Sequence, residues 1–228
     1  MTMMTIKTVS VLTLTASLMV VFAAVGCQSP RAGTAEVPAL AALPENAEKV
    51  NPLDAGERAP NVTVRGVDGR RISTSRVYRD GPTLLIFYRG GWCPFCTRHL
   101  AEIGQIEGDL RAMGYQIVGV SPDRPEKLRE SLGEHDISYT LLSDSNVELA
   151  RAFGVAFRVD DETNEMLRGH GIDLEDAAGR SHRVLPIPAV YLIDADGMIR
   201  FAQWDPDYRQ RLSGDAVLRA AREMVGAK

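Results

Sequence analysis

The sequence predicts an α/β domain built on a central mixed β-sheet flanked by helices. Three observations carry that prediction. Short apolar runs at Thr83 to Tyr88 (TLLIFY), Tyr115 to Val120 (YQIVGV) and Ala189 to Ile193 (AVYLI) have the length and composition of buried strands. Between the first runs lie segments whose apolar residues recur three to four apart, the pattern of helices that cover a sheet. Asp196-Gly197 sits between two apolar runs and marks a hairpin, so the sheet also contains antiparallel pairing.

Asn61 to Val64 and Arg71 to Ser73, joined by a turn around Val67-Asp68-Gly69, read as an N-terminal hairpin. The strand Thr83 to Tyr88 follows, and a helix opens at Cys93-Pro94-Phe95-Cys96 and carries Leu100, Ile103, Leu110 and Met113 along one face. After the run ending at Val120, Pro122 breaks the chain and a helix is expected from about Pro125 to His135. Ser138 to Leu142 reads as a strand, and Ser145 or Asp144 caps a helix running to Phe153. Residues 155–188 have no clean period and read as an insertion beside the core sheet, with a short helix at Glu162 to His170. The strand Ala189 to Ile193 then turns back into Met198 to Trp204. A terminal helix, about Gly214 to Val225, places Val217, Leu218, Ala221 and Val225 on one face.

The chain has 228 residues, 45% hydrophobic and 25% charged, enough for one domain plus extensions. A formal net charge of -4, with Lys and Arg scattered, offers no basic face and excludes nucleic acid as a partner.

The N-terminus reads as a processing segment. Lys7 precedes an apolar stretch from Val9 to Val25, which ends in Ala24-Val25-Gly26-Cys27. This resembles a bacterial lipoprotein signal with its lipobox, although Ala24 stands where Leu is more usual. The resemblance implies cleavage before Cys27 and lipidation of that residue. An uncleaved membrane anchor and a plain secretory peptide are the alternatives, but 17 residues broken by hydroxyls are short for a span. The expected organisation is a signal peptide over 1–26, the lipidated Cys27 and a flexible Ala/Pro/Glu/Gly-rich tether over 27–54, and the folded domain over 55–228. The domain is thus expected to be exported, anchored by lipid in the bacterial cell envelope and facing the periplasm. Gln28, rather than Asp, after the lipidated residue is compatible with an outer-membrane destination, and the sequence does not choose between the two membranes.

With Cys27 consumed by lipid, Cys93 and Cys96 are the remaining thiols, in a compartment where disulfides persist. A pair three residues apart cannot staple a fold but can close a local disulfide. Placed at a helix start, such cysteines meet the positive end of the helix dipole and unpaired N–H groups, which favour thiolate over thiol. Pro94 fits the first helical turn, where its missing N–H costs nothing. A zinc site would need a second C-x-x-C or an H-x₃₋₅-H pair, and His99, His135, His170 and His182 supply neither spacing. No metal and no cofactor are expected.

From about Ala55 onward the chain resembles the peroxiredoxin-like branch of the AhpC/TSA family, within the thioredoxin-fold superfamily. The motifs that carry the resemblance are FYRGGWCPFC (87–96), VSPDRPEKL (120–128), LLSDSNVELARAFGV (141–155), LPIPAVYLID (185–194) and WDPDYRQRL (204–212). It implies a thioredoxin-like fold in which Pro188, after Ile187, matches the cis-proline that faces the C-x-x-C, the insertion lying just before its strand. It further implies an antioxidant thiol enzyme that reduces hydroperoxides through a Cys93/Cys96 dithiol-disulfide cycle, reset by a thioredoxin-type reductant.

The resemblance leaves the nucleophile open. Ungapped alignment with the P-x-x-x-T-x-x-C pattern of ordinary peroxiredoxins puts Cys96 on the peroxidatic cysteine, Cys93 on the Thr and Arg89 on the Pro. Reading W-C-x-x-C as in thioredoxins makes Cys93 the attacking thiol and Cys96 the resolver. The family's later-strand arginine falls about where Pro188 stands, so a cation that polarises a peroxide must come from elsewhere, with Arg89 the near candidate. The same two sulfurs would serve a membrane-tethered protein disulfide reductase. A third reading, from a different class, is a non-catalytic lipoprotein that binds a partner or a metal. Arg89 could equally be a solvated strand-end residue, and Trp92 could shield the thiolate, dock a partner or merely pack. Tyr208 and Arg211 are candidates to reach the site, with a surface network as the equal alternative. His99, three residues after Cys96, reads as a partly exposed helical histidine able to tune its neighbour. No sequence signal fixes an oligomeric state.

Overall fold

A computed structural model describes Met1, residues 37–135 and residues 137–226. The expected signal peptide and Cys27 lie outside the described residues. Among the described residues, no helix is long and apolar enough to cross a membrane.

Nine strands and eight α-helices are described. The first hairpin is β1 (Thr63–Gly66) and β2 (Arg71–Ser73), followed by α1 (Thr74–Arg79) and β3 (Thr83–Phe87). Next come α2 (Pro94–Gln105), α3 (Glu107–Ala112), β4 (Gln116–Ser121), α4 (Pro125–His135), β5 (Thr140–Ser143) and α5 (Glu148–Ala152). The insertion holds β6 (Ala156–Arg158), α6 (Asp161–Gly169), α7 (Leu174–Ala178) and β7 (Val184–Pro186), and the chain closes with β8 (Ala189–Ile193), β9 (Ile199–Trp204) and α8 (Gly214–Gly226).

Seven strands form one sheet in the order β2-β1-β5-β4-β3-β8-β9. β3, β4 and β5 are mutually parallel, and the flanking pairs are antiparallel, which makes the sheet mixed as expected. Every residue of β3 and β8 is buried, so their continuous apolar composition reflects cover on both faces. The two-residue period of β3 divides the core in two. Leu85 and Phe87 join Tyr78, Leu149, Phe153 and Tyr191 on one face. Leu84, Ile86 and Tyr88 join Leu100, Ile103, Leu110, Leu128 and Val217 on the other, the face that carries the cysteines.

Four sequence expectations change. The single helix expected from the cysteines to Met113 breaks at Ile106, whose φ of -102° and ψ of 5° interrupt it between Gly104 and Gly108, both weak helix formers. The helix expected to be capped by Ser145 or Asp144 starts late, at Glu148, but Asp144 still supplies the cap: its carboxylate accepts from Leu149 and Ala150 N–H at 3.1 and 2.8 Å. The insertion is ordered, its helices capped by Asp160 and Asp173, and Val159, Leu167, Leu174 and Leu185 give it a small core against which Trp92 packs.

The fourth change concerns the stretch expected to be tether. Residues 38–54 pack on the domain: Leu43 is buried in the core, Arg158 N–H donates to Pro44 O at 2.8 Å, and Leu53 N–H donates to Phe153 O at 2.9 Å. Arg151 and Arg158 clamp the carbonyls of Pro38 and Leu40 at 2.6 and 2.8 Å. Gly154, at φ 69°, permits the approach, since a Cβ there would overlap the Asn51 carbonyl. The compact unit accordingly begins well before Ala55.

Candidate redox site at the start of α2

β3 lies inside the sheet, and the segment Tyr88 to Trp92 carries the chain from its end over to α2. Cys93 is the N-cap of α2, Pro94 fills its first turn, and Cys96 lies inside that turn, with its N–H bonded to Cys93 O at 2.9 Å. Both are free thiols, and both are buried. Gly91 is required where the turn packs, because a Cβ there would overlap Ser131 Oγ of α4.

The two thiols are driven apart electrostatically. Cys93 is lowered from the ordinary 9.0 to about 6, chiefly by the hydrogen bond that the Cys96 thiol donates to it. Burial opposes this shift, while the Cys96 backbone N–H and the charges of Arg89 and Arg211 reinforce it. Cys96 is pushed well above its ordinary range, first by burial and then by its role as donor to the neighbouring sulfur. The sulfur at the cap therefore ionises, and the sulfur that burial penalises more keeps its proton.

Two arginines frame the pair. Arg89, 8% exposed, is held between aromatic faces, its guanidinium carbon 5.1 Å from the Trp92 ring centroid and 4.4 Å from that of Tyr208. Its Nε has no hydrogen-bond partner among the described residues. Arg89 is therefore not the solvated strand-end residue of the alternative reading. Arg211, in the loop after β9, donates from Nη2 to Cys96 Sγ at 3.3 Å and from Nη1 to the carbonyls of Tyr208 and Gln210. The guanidinium thus touches the inner sulfur of the pair directly, and its charge also favours the Cys93 thiolate. Tyr208 also meets Phe95 edge-on, with centroids 5.6 Å apart. The WDPDYRQRL motif does reach the site.

Pro188 is buried and lines a cavity of about 150 Å³ together with His99, Gln203, Trp204, Asp205 and Arg211. The Ile187–Pro188 bond is trans, which corrects the expected cis-proline. His99 is also corrected. It is 4% exposed, its Nε2 lies 3.0 Å from Leu212 O, and burial lowers it to about 4, so it sits there as a neutral imidazole. Asp123 was missed by sequence reasoning. It is 2% exposed and its Oδ2 accepts from Gly91 N–H at 2.8 Å. A carboxylate two residues past the end of an apolar strand and just ahead of a helix was the available signal. Among the described residues, no cluster of three or more His, Cys, Asp or Glu is arranged to hold a metal ion.

A sequence profile of the AhpC/TSA family matches residues 55–202. The chain belongs to the AhpC/TSA family. A putative peroxiredoxin bcp of Haemophilus influenzae is 32% identical over 106 residues, covering 46% of this chain and 68% of that protein. Peroxiredoxin Bcp of Escherichia coli is 30% identical over the same length, covering 46% and 67%. A putative peroxiredoxin of Mycobacterium tuberculosis is 28% identical over 157 residues, 69% of this chain and 88% of its own. Among solved structures, peroxidoxin BcpB from Mycobacterium tuberculosis superposes with a TM-score of 0.59 at 20% identity, covering 77% of this chain and 97% of that one. Reduced Prx3 from Vibrio vulnificus in complex with hydrogen peroxide gives 0.61 at 16% identity, covering 74% and 99%. These likenesses establish the thioredoxin-like fold.

Proposed function

We propose that the protein is a thiol-dependent peroxidase in which Cys93 attacks a hydroperoxide and Cys96 resolves the product. The observation that carries this assignment is the cap position of Cys93, where the neighbouring Cys96, a helix N-terminus and the charges of two arginines favour its thiolate. Family membership supports peroxide as the oxidant.

The thiolate displaces an alkoxide or hydroxide from the peroxide O–O bond and becomes a sulfenic acid; the leaving oxygen takes up a proton. Cys96, protonated at rest, gives up its proton as its sulfur attacks the Cys93 sulfur, and that proton departs with the sulfenic oxygen as water while the S–S bond forms. An external dithiol of the thioredoxin type returns the pair to two thiols, becoming oxidised itself. Arg89 and Arg211 supply positive charge where negative charge builds on the peroxide.

The N-terminal sequence adds a location to this proposal: a lipid anchor on Cys27 that holds the enzyme in the bacterial envelope facing the periplasm. Metabolic labelling with a fatty-acid probe tests it, since Cys27→Ser should lose the label.

Stopped-flow oxidation of the reduced protein by hydrogen peroxide and by an alkyl hydroperoxide, beside exchange with a model disulfide, tests the reaction. Peroxide oxidation much faster than that of a free thiol supports the peroxidase. Peroxide reacting no faster than with free cysteine, with rapid disulfide exchange, would instead favour a disulfide reductase.

A further inference from the structure

Asp123 lies beyond β4, and the dithiol cycle above makes no use of it. Its carboxylate is tied to the residue two before Cys93 through the 2.8 Å bond from Gly91 N–H, while its own N–H donates to Ser121 Oγ at 3.2 Å. It lines a polar cavity of about 200 Å³ with Gly91, Trp92, Lys127, Ser131 and Asp176. No ion pair neutralises it among the described residues: Lys127, the cation on that wall, is paired with Glu130 at 3.2 Å and Asp176 at 3.6 Å. A buried carboxylate held by backbone and hydroxyl groups alone is costly, and this one is bonded to the turn that leads into Cys93.

We propose that Asp123 is a positioning residue for the thiol pair: it anchors the Gly90-Gly91 turn that presents Cys93 at the helix start, and its charge sets the pH range over which the Cys93 thiolate forms. The proposal rests on the reading of Cys93 as the attacking thiol. Two negative charges that share a dry site cannot both form at their unperturbed pH, so one delays the other. Burial raises Asp123 from 3.8 to about 6, and the charge of Cys93 adds to the rise, so carboxyl and thiol titrate over one range. The other groups facing Asp123 are Tyr88 just after β3, kept a neutral phenol by burial, Lys127 and Glu130 from α4, and Asp173 and Asp176 at the start of α7. Arg89 and Arg211 act on Cys93 itself.

The test is the pH dependence of iodoacetamide alkylation of the reduced full-length protein, with the labelled cysteine identified by mass. Asp123→Asn keeps an oxygen for Gly91 N–H and removes the charge, whereas Asp123→Ala removes both. The expected wild-type profile is shallow, as for two coupled groups. D123N should be steeper, with its midpoint lower by about half a pH unit or more, and D123A should add a loss of melting temperature. Coincident midpoints and slopes for folded D123N and wild type would overturn the proposal. Label arriving on Cys96 in place of Cys93 would overturn it by a different route, through the attacking-thiol reading. Should D123N not fold, carbon-13 NMR of the wild-type aspartate carboxyls decides: Asp123 is expected to titrate lower in the disulfide form, which carries no thiolate, and an unchanged value overturns the proposal.

Discussion

Replacing Cys96 by alanine removes the thiol whose hydrogen bond is the largest single influence holding Cys93 at about 6. A hydrogen bond to a charged group contributes about 1.5–3 kcal/mol, and one pKa unit corresponds to about 1.4 kcal/mol. Cys93 is therefore predicted to titrate about one to two units higher in C96A, at about 7 to 8. At pH 7 its ionised fraction falls from about 90% to between about 10 and 50%, and alkylation slows roughly two- to tenfold. Cys96→Ser keeps an O–H donor and should fall between wild type and C96A. The assay is the ultraviolet absorbance of the thiolate against pH, with the iodoacetamide rate as a second readout. If C96A titrates where the wild type does, the hydrogen bond between the thiols does not set the pKa, and the division of roles between them fails.

Other predictions follow from the same geometry. Arg89→Met preserves bulk between Trp92 and Tyr208 and removes the charge, so the Cys93 midpoint should rise by about half to one unit with little change in melting temperature. Gly91→Ala forces a methyl group into Ser131 and should destabilise the fold by about 1–3 kcal/mol in denaturant titrations, with partial recovery in the Gly91→Ala, Ser131→Ala double variant. His99, depressed from 6.5 to about 4 by burial, contributes stability that is complete above pH 6.5 and lost as the pH falls toward 4. His99→Gln keeps a donor for Leu212 O and should flatten the fall in melting temperature between those limits; an unchanged slope would place the acid sensitivity elsewhere.

Much of the fold was legible because burial writes itself into composition. β3 and β8, buried throughout, read as unbroken apolar runs, and the Asp196-Gly197 turn between β8 and β9 announced itself. The redox pair was legible for a different reason: C-x-x-C with Pro94 between the cysteines at a strand-to-helix junction has few other uses. What remained hidden depends on long-range contact. Nothing local reveals that Arg211 reaches back over 115 positions to Cys96, that Leu212 O closes over His99, or that Asp123 accepts from Gly91. The docking of residues 38–54 was invisible for the same reason, since the short run Ala39 to Leu43 and the single Leu53 lie in an Ala- and Pro-rich stretch composed like a linker. The insertion lacked a clean period because its helices are only nine and five residues long, and Leu167 and Leu174 serve a core of their own.

The attacking sulfur is the point on which the proposed mechanism turns, and single-turnover oxidation decides it. Reduced wild type, Cys93→Ser and Cys96→Ser are mixed rapidly with hydrogen peroxide in the presence of a 1,3-diketone that traps sulfenic acid, and the adduct is located by mass. Cys96→Ser should still react faster than free cysteine and carry one adduct on Cys93, while Cys93→Ser should lose rapid oxidation. Rapid oxidation of Cys93→Ser, with the adduct on Cys96, would contradict the assignment and place the peroxidatic role on the thiol that Arg211 touches.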